Sequence, residues 1–193
     1  MYRCYTPEEY LAFEERSELK HEYYQGAITE MVGGSQAHNQ VCRNLFGSLS
    51  SKLQDNAFCL HGSLTLIKVC ATGFYTHADL SIARQPLEYE PASIEVLLNP
   101  RVLIEVLSPS TEDHDLGFKL KHYRKLSSLE EVLFFAQDEP AVDHYIRHGD
   151  EWRLITQSGL EGDVEFPSLG CHIPLSLIYA EVDFTAAERR QLP

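Results

Sequence analysis

Glu105 interrupts an otherwise apolar run, "RVLIEVLSPSTEDHD", from Arg101 to Asp115. Runs of this kind, closed by Ser-Pro, read as core strand. An unpaired charge buried in such a strand is costly, so it neutralises, pairs with an opposite charge or binds a metal. A second carboxylate, Asp79, opens the strand-like stretch "ADLSIA". Carboxylates on two neighbouring strands can hold a divalent cation, because Mg2+ takes oxygen ligands and keeps several waters. Glu105 could equally be the partner of a buried Arg or Lys with no metal, since structural ion pairs also occupy cores. Spacing alone leaves both readings open.

Lys119 bears on that choice. It lies in "DLGFKLKHYRKL", where helical winding puts Leu116, Leu120, Tyr123 and Leu126 on one face. Lys119 falls inside this stripe, roughly 40° from Tyr123 and roughly 60° from Leu116. A lysine on the apolar face of a helix that follows a glutamate-bearing strand is either a salt-bridge partner or a catalytic lysine near a metal-bound water. Lys121, Arg124 and Lys125 point elsewhere and read as an exposed basic face, or as a strip contacting phosphate. His38 precedes Cys42 by one turn on the apolar stripe of an earlier helix and reads first as a hydrogen-bonded core histidine. Other combinations carry less. Ser108, His114 and Asp115 lack a G-x-S-x-G elbow and read as turn and cap residues. "GGS" lacks the G-K-[ST] of a phosphate loop, and no H-E-x-x-H is present.

The scaffold for these residues is legible in outline. "TPEEYLAFEER" carries Thr6 as N-cap, Pro7 at the first helical position and acids in the first turn. "KHEYYQGAITEM" reads as a hairpin turning at Gln25-Gly26. Ser35 caps a helix whose stripe is Val41, Cys42, Leu45, Leu49 and Leu53. "AFCLHGSLTLIKV" and "ADLSIA" are strand candidates separated by a turn near Gly73. "VLIEVL" is the strongest strand. The helix around Lys119 then crosses over to "EEVLFFAQ", followed by "AVDHYIRH" and "EWRLITQ", joined by His-Gly-Asp. The tail "AEVDFTAAERRQLP" reads as a surface segment or short helix. Alternation puts Leu103, Glu105 and Leu107 on one strand face and Val102, Ile104 and Val106 on the other. Both faces are apolar, so a helix is expected over each. The pattern is α/β with a central mixed sheet flanked by helices.

The chain has 193 residues, 44% of them hydrophobic and 23% charged, which suits a single domain over 1–193 with a sizeable core. No apolar stretch approaches a membrane span, and "MYRCYTPEEY" lacks an export signal. The five cysteines are odd in number and scattered, without C-x-x-C. This disfavours disulfides or a zinc framework and favours a cytoplasmic setting. The net charge of −13 argues against tight nonspecific binding of nucleic acid through phosphate contacts alone. It leaves room for a local basic cleft or for metal ions that supply the positive charge.

Asp79, Glu105 in "EVLSPST" and Lys119 in "DLGFKLKHYRKL" together resemble the PD-(D/E)xK nucleases. More closely, the chain resembles the Uma-type family of restriction-endonuclease-like proteins. The likeness runs from "YTPEEYL" through "HEYYQG", "AHNQV", "TGFYTHADLS" and "LLNPRVLIEVLSPSTE" to "SLEEVLFFAQDEP". It implies a restriction-endonuclease-like fold and a metal-dependent endonuclease acting on nucleic acid, in particular DNA, with Mg2+ or Mn2+ as cofactor. Asp79 and Glu105 would bind the metal, with Glu22 of "HEYYQG" as a further metal or water ligand, and Lys119 would be the motif lysine. In many relatives that lysine comes two residues after the acid. Here Leu107 holds that place and the lysine has moved to the next helix. Ala78 stands where family members have Pro. Restriction-type relatives often pair as homodimers, and the alternative reading of this chain is a regulatory nucleic-acid- or protein-binding module that keeps the fold without cleaving.

Overall fold

Thr6 starts the first helix, α1 (Pro7–Glu14). Its side chain accepts from the Glu9 amide while the Glu9 carboxylate accepts from the Thr6 amide, a reciprocal cap worth about 1 kcal/mol. The structure, a computed structural model, describes residues 3–54, 57–92 and 94–184. A hairpin follows, β1 (His21–Tyr24) and β2 (Ala27–Glu30). Gln25 and Gly26 turn it with φ of 48° and 85°. A side chain at residue 26 would place its Cβ 2.0 Å from Cys4 Sγ, so glycine is required there on two counts. Ser35 caps α2 (Gln36–Lys52).

Next come β3 (Phe58–Gly62), β4 (Leu66–Val69), β5 (Phe74–His77), β6 (Leu80–Arg84), β7 (Val96–Leu97) and β8 (Pro100–Leu107). A π-helical turn (His114–Lys119) runs into α3 (Leu120–Tyr123) and leads to β9 (Glu131–Ala136), β10 (Ala141–His148) and β11 (Glu151–Ser158). The described chain closes with the pair β12 (Asp163–Phe166) and β13 (Cys171–Pro174), then α4 (Leu175–Ile178). No helix among the described residues is long and apolar enough to cross a membrane.

The expected architecture of mixed sheet flanked by helices is present, but the strands divide between two main sheets. One runs β2-β1-β5-β4-β7 and the other β11-β10-β9-β8-β6-β3. The crossover reading holds: β8 and β9 are parallel neighbours joined through the helical segment around Lys119. The stretch read as one long strand breaks into β3 and β4. β5, read only as sequence beside a turn, is a strand whose residues are all buried. Its chain leaves the five-stranded sheet, passes Ala78 and Asp79, and enters the six-stranded sheet as β6. The pair β12–β13 and α4 were not anticipated. The tail reading falls mostly on residues outside those described.

Strand β8 is covered on both faces, as its apolar alternation requires. Val102, Ile104 and Val106 pack with Val41, Leu45 and Leu49 of α2 and with Leu175 and Ile178 of α4. Leu103 packs on the opposite side with Leu120, Tyr123 and Leu126. Glu105 shares that second face. Asp79 lies just before Leu80, which pairs with Ile104 of β8. The sheet register therefore brings the two carboxylates onto adjoining strands.

Candidate active site

Asp79 occupies the step between the two sheets. Its Oδ2 accepts from the Val106 amide at 2.8 Å, which anchors it beside the strand that carries Glu105. Its Oδ1 meets His38 Nε2 at 3.1 Å. Burial works to raise the Asp79 carboxyl. The His38 hydrogen bond and charge, the Val106 amide and Lys119 outweigh that and hold it below its ordinary value. Burial likewise works to lower His38, and contact with Asp79 wins and raises it. The two shifts agree in sign: each group favours the charged form of the other.

Glu105 is 3% exposed. Both of its hydrogen bonds fall on Oε1, from the Tyr123 hydroxyl at 2.6 Å and from Lys119 Nζ at 3.1 Å. Oε2 receives none among the described residues. Lys119, equally buried, closes the π-helical turn. Its ammonium also meets Asp115 Oδ1 at 3.2 Å and Glu22 Oε1 at 3.7 Å, and donates to the His77 carbonyl at 3.4 Å.

Carboxylates therefore outnumber ammonium groups in this cluster. Burial pushes Glu105 up, Lys119 pulls it back, and Asp115 and Asp79 add to the push, leaving it at about 8. Burial alone would strip Lys119 of its proton, yet Glu105, Asp115, Glu22 and Asp79 hold the ammonium firmly charged. Burial and the neighbouring carboxylates thus favour the proton on Glu105, while the carboxylates around Lys119 favour its charge.

Asp79, Glu105, Asp115 and Lys119 line one cavity of about 310 Å³. His38, Cys42 and Arg43 of α2 and Lys20 also line it. The structure thus brings together Asp79, Glu105 and Lys119, the three residues singled out in the sequence. Glu22 reaches the cluster but does not line the cavity. Its Oε1 accepts from the Thr76 hydroxyl at 2.6 Å and its Oε2 meets His114 Nε2 at 2.6 Å. Burial works to raise Glu22, and His114, Lys119 and Thr76 together lower it. Contact with Glu22 raises His114 in turn.

Sequence reasoning missed Asp115, His114 and Tyr123. Asp115 and His114 were read as turn and cap residues, although Asp115 lies four residues before Lys119, a spacing that signals a paired charge. Tyr123 was counted for its apolar ring, and its hydroxyl left no mark on the periodicity. His38, read first as a core histidine, instead faces Asp79. Lys121, Arg124 and Lys125 are exposed, as expected.

The Uma2 family, described as "Putative restriction endonuclease", matches residues 7–176. The chain belongs to the Uma2 family. It is 33% identical over 180 residues to "Uncharacterized protein slr1290" of Synechocystis sp., covering 93% of each chain. It is 30% identical over 162 residues to "Uncharacterized protein sll1609" of the same organism, covering 83% of this chain and 92% of that one. A crystal structure of "a putative nuclease belonging to DUF820" from Anabaena variabilis superposes with a TM-score of 0.73, over 89% of this chain and 96% of that one. Identity there is 17%, so this likeness speaks to the fold. The Uma2 description carries the nuclease assignment at family level.

Proposed function

We propose that this Uma2 protein is a Mg2+- or Mn2+-dependent endonuclease that hydrolyses phosphodiester bonds in DNA. The observation that carries the reading is the convergence of Asp79, Glu105 and Lys119 on one cavity whose buried carboxylates outnumber its ammonium groups. Such a donor set fits a hard divalent cation: the ligand atoms are carboxyl oxygens, Glu105 Oε2 is without a donor among the described residues, and a bound cation would take the place of the proton that burial and neighbouring carboxylates favour on Glu105. Asp79 and Glu105 would hold the ion. When bound, a divalent cation supplies Lewis-acid polarisation of the phosphate and acidifies water at neutral pH.

The remaining work belongs to the chain. Tyr123 and Lys119 grip Glu105 Oε1, which fixes the carboxylate and turns Oε2 to the task of ligation. Lys119 places a full positive charge where the phosphate oxygens gain negative charge, in a setting poor in water. Glu22 has both oxygens committed, so we assign it as a positioning residue for Lys119 and His114 rather than as a metal ligand. Lys20 and Arg43 offer the DNA backbone two cations on a chain of net charge −13. A single site suffices to nick one strand. Cutting both strands of a duplex calls for a second copy, the homodimer that the resemblance suggests.

The test is cleavage of supercoiled plasmid. The wild-type protein should nick it with Mg2+ or Mn2+ and not with chelator present. Asp79→Asn and Glu105→Gln should each lose about 100-fold or more, the scale of removing one electrostatic stabiliser of a transition state. Cleavage that persists undiminished in both variants, or a folded wild type that never cleaves, contradicts the assignment.

A further inference from the structure

The cavity lining carries a second set of donors, of different chemistry. His38 and Cys42 are four residues apart on α2, so both side chains leave the same helix face. That face meets Asp79. His38 nitrogen, Cys42 Sγ and an Asp79 carboxylate oxygen all lie within 4.8 Å of one another. His38 Nε2 and Asp79 Oδ1 are separated by 3.1 Å. Two ligand atoms on a tetrahedral zinc ion stand about 3.3 Å apart, given bonds near 2.0–2.1 Å. The Cys42 thiol is free of any disulfide and makes no hydrogen bond among the described residues, so nothing competes for its sulfur.

A nitrogen, a sulfur and an oxygen form a poor set for Mg2+, which demands oxygen, and a good one for a borderline ion such as Zn2+ or Co2+. Three protein ligands beside an open cavity leave a coordination position for solvent, the pattern of exchangeable rather than closed structural zinc. The buried His38 Nδ1 has no hydrogen-bond partner among the described residues. The imidazole therefore lacks the outer hydrogen bond that strengthens a zinc ligand, which again favours exchange.

We propose that His38, Cys42 and Asp79 form a second cation site, for a zinc-type ion, and that its occupancy takes Asp79 away from the Mg2+ site and inhibits the enzyme. Binding releases to solvent the Cys42 S–H proton, together with any proton on the ligating His38 nitrogen, and puts sulfur–metal and nitrogen–metal bonds in their place. The inhibitory half rests on the nuclease reading; the binding half does not.

Cobalt reports the site directly. Titrating Co2+ into the reduced full-length protein should produce a near-ultraviolet thiolate-to-cobalt band together with tetrahedral visible bands, and Zn2+ should bleach both. Cys42→Ser should abolish the near-ultraviolet band. His38→Ala should weaken Co2+ binding about tenfold or more. Glu105→Gln should leave the spectrum intact, which separates this site from the Mg2+ site. Thermal melts establish that each variant is folded. A wild type with no thiolate band, or a band that survives in Cys42→Ser, overturns the proposal. In the cleavage assay, the Zn2+ concentration that halves each protein's own Mg2+-driven rate should rise about tenfold or more in Cys42→Ser, and an unchanged value overturns the inhibitory half. If the wild type does not cleave, the nuclease reading fails and the cobalt spectra still decide the site.

Discussion

Glu105 and Glu131 lie on neighbouring parallel strands, β8 and β9, and both are withdrawn from solvent. They differ in what meets their oxygens. Glu131 accepts from the Ser168 amide on Oε1 at 2.6 Å and meets His144 on Oε2 at 2.7 Å, so each oxygen has a partner. Glu105 has both donors on one oxygen, further carboxylates nearby and a cavity in front. A buried acid with matched donors is a structural element that links strands and loop. A buried acid with an unmatched oxygen, set among like charges, is what we propose as a cation ligand. Burial by itself marks neither.

The largest stability effect should come from breaking the Glu105 cluster at its cation. Lys119→Met leaves Glu105, Asp115 and Glu22 facing one another, and denaturant unfolding should report a loss of about 3–5 kcal/mol, the scale of leaving a buried charge unpaired. If the loss is negligible, the lysine is not the counter-charge described here. Glu131→Gln should cost less, about 1–3 kcal/mol, by upsetting one matched hydrogen bond. Its plasmid cleavage per folded molecule should match wild type, and a collapse in cleavage there would erase the distinction between the two acids.

A smaller effect, in pH, sharpens the same contrast. Glu14 is well supplied with donors: the His21 amide, the His21 ring and the His77 ring. Burial works to raise it, and these partners outweigh burial and lower it. Its contribution to stability is present above its ordinary 4.5 and is lost as pH falls through the lower folded value. Glu105 has the opposite sign. The folded state keeps its proton up to about 8 while the unfolded chain releases it near 4.5, so without metal its contribution falls as pH rises between the two. Melting temperature against pH for Glu14→Gln and Glu105→Gln should therefore diverge from wild type at opposite ends of the range. Profiles that shift together at the acid end would contradict the assignment of Glu105 as a charge-crowded acid.

The sequence was informative where one rule dominated. Alternation along "VLIEVL" assigned Glu105 its face because both faces of β8 are covered. The helical stripe brought Lys119 inward, even though the segment is wound as a π-helical turn before α3. The rule fails where burial is uniform or the partner is remote. β5 has no alternation because all of its residues are buried. The division of the strands into two sheets turns on Ala78 and Asp79, two residues with no turn signal. His114 meets Glu22 and Tyr123 meets Glu105 across the fold, contacts that local spacing does not encode. Asp115 was within reach of the i,i+4 rule and was passed over in favour of a capping role.

The most direct measurement is calorimetric titration of Mg2+ into the wild type, Glu105→Gln and Glu131→Gln, at concentrations up to the millimolar range. Mg2+ is the probe because it shuns the sulfur and nitrogen of the neighbouring α2 donors. Saturable binding in the wild type and Glu131→Gln, absent from Glu105→Gln, is the predicted result. Equal binding in all three proteins, or none in the wild type, would contradict it.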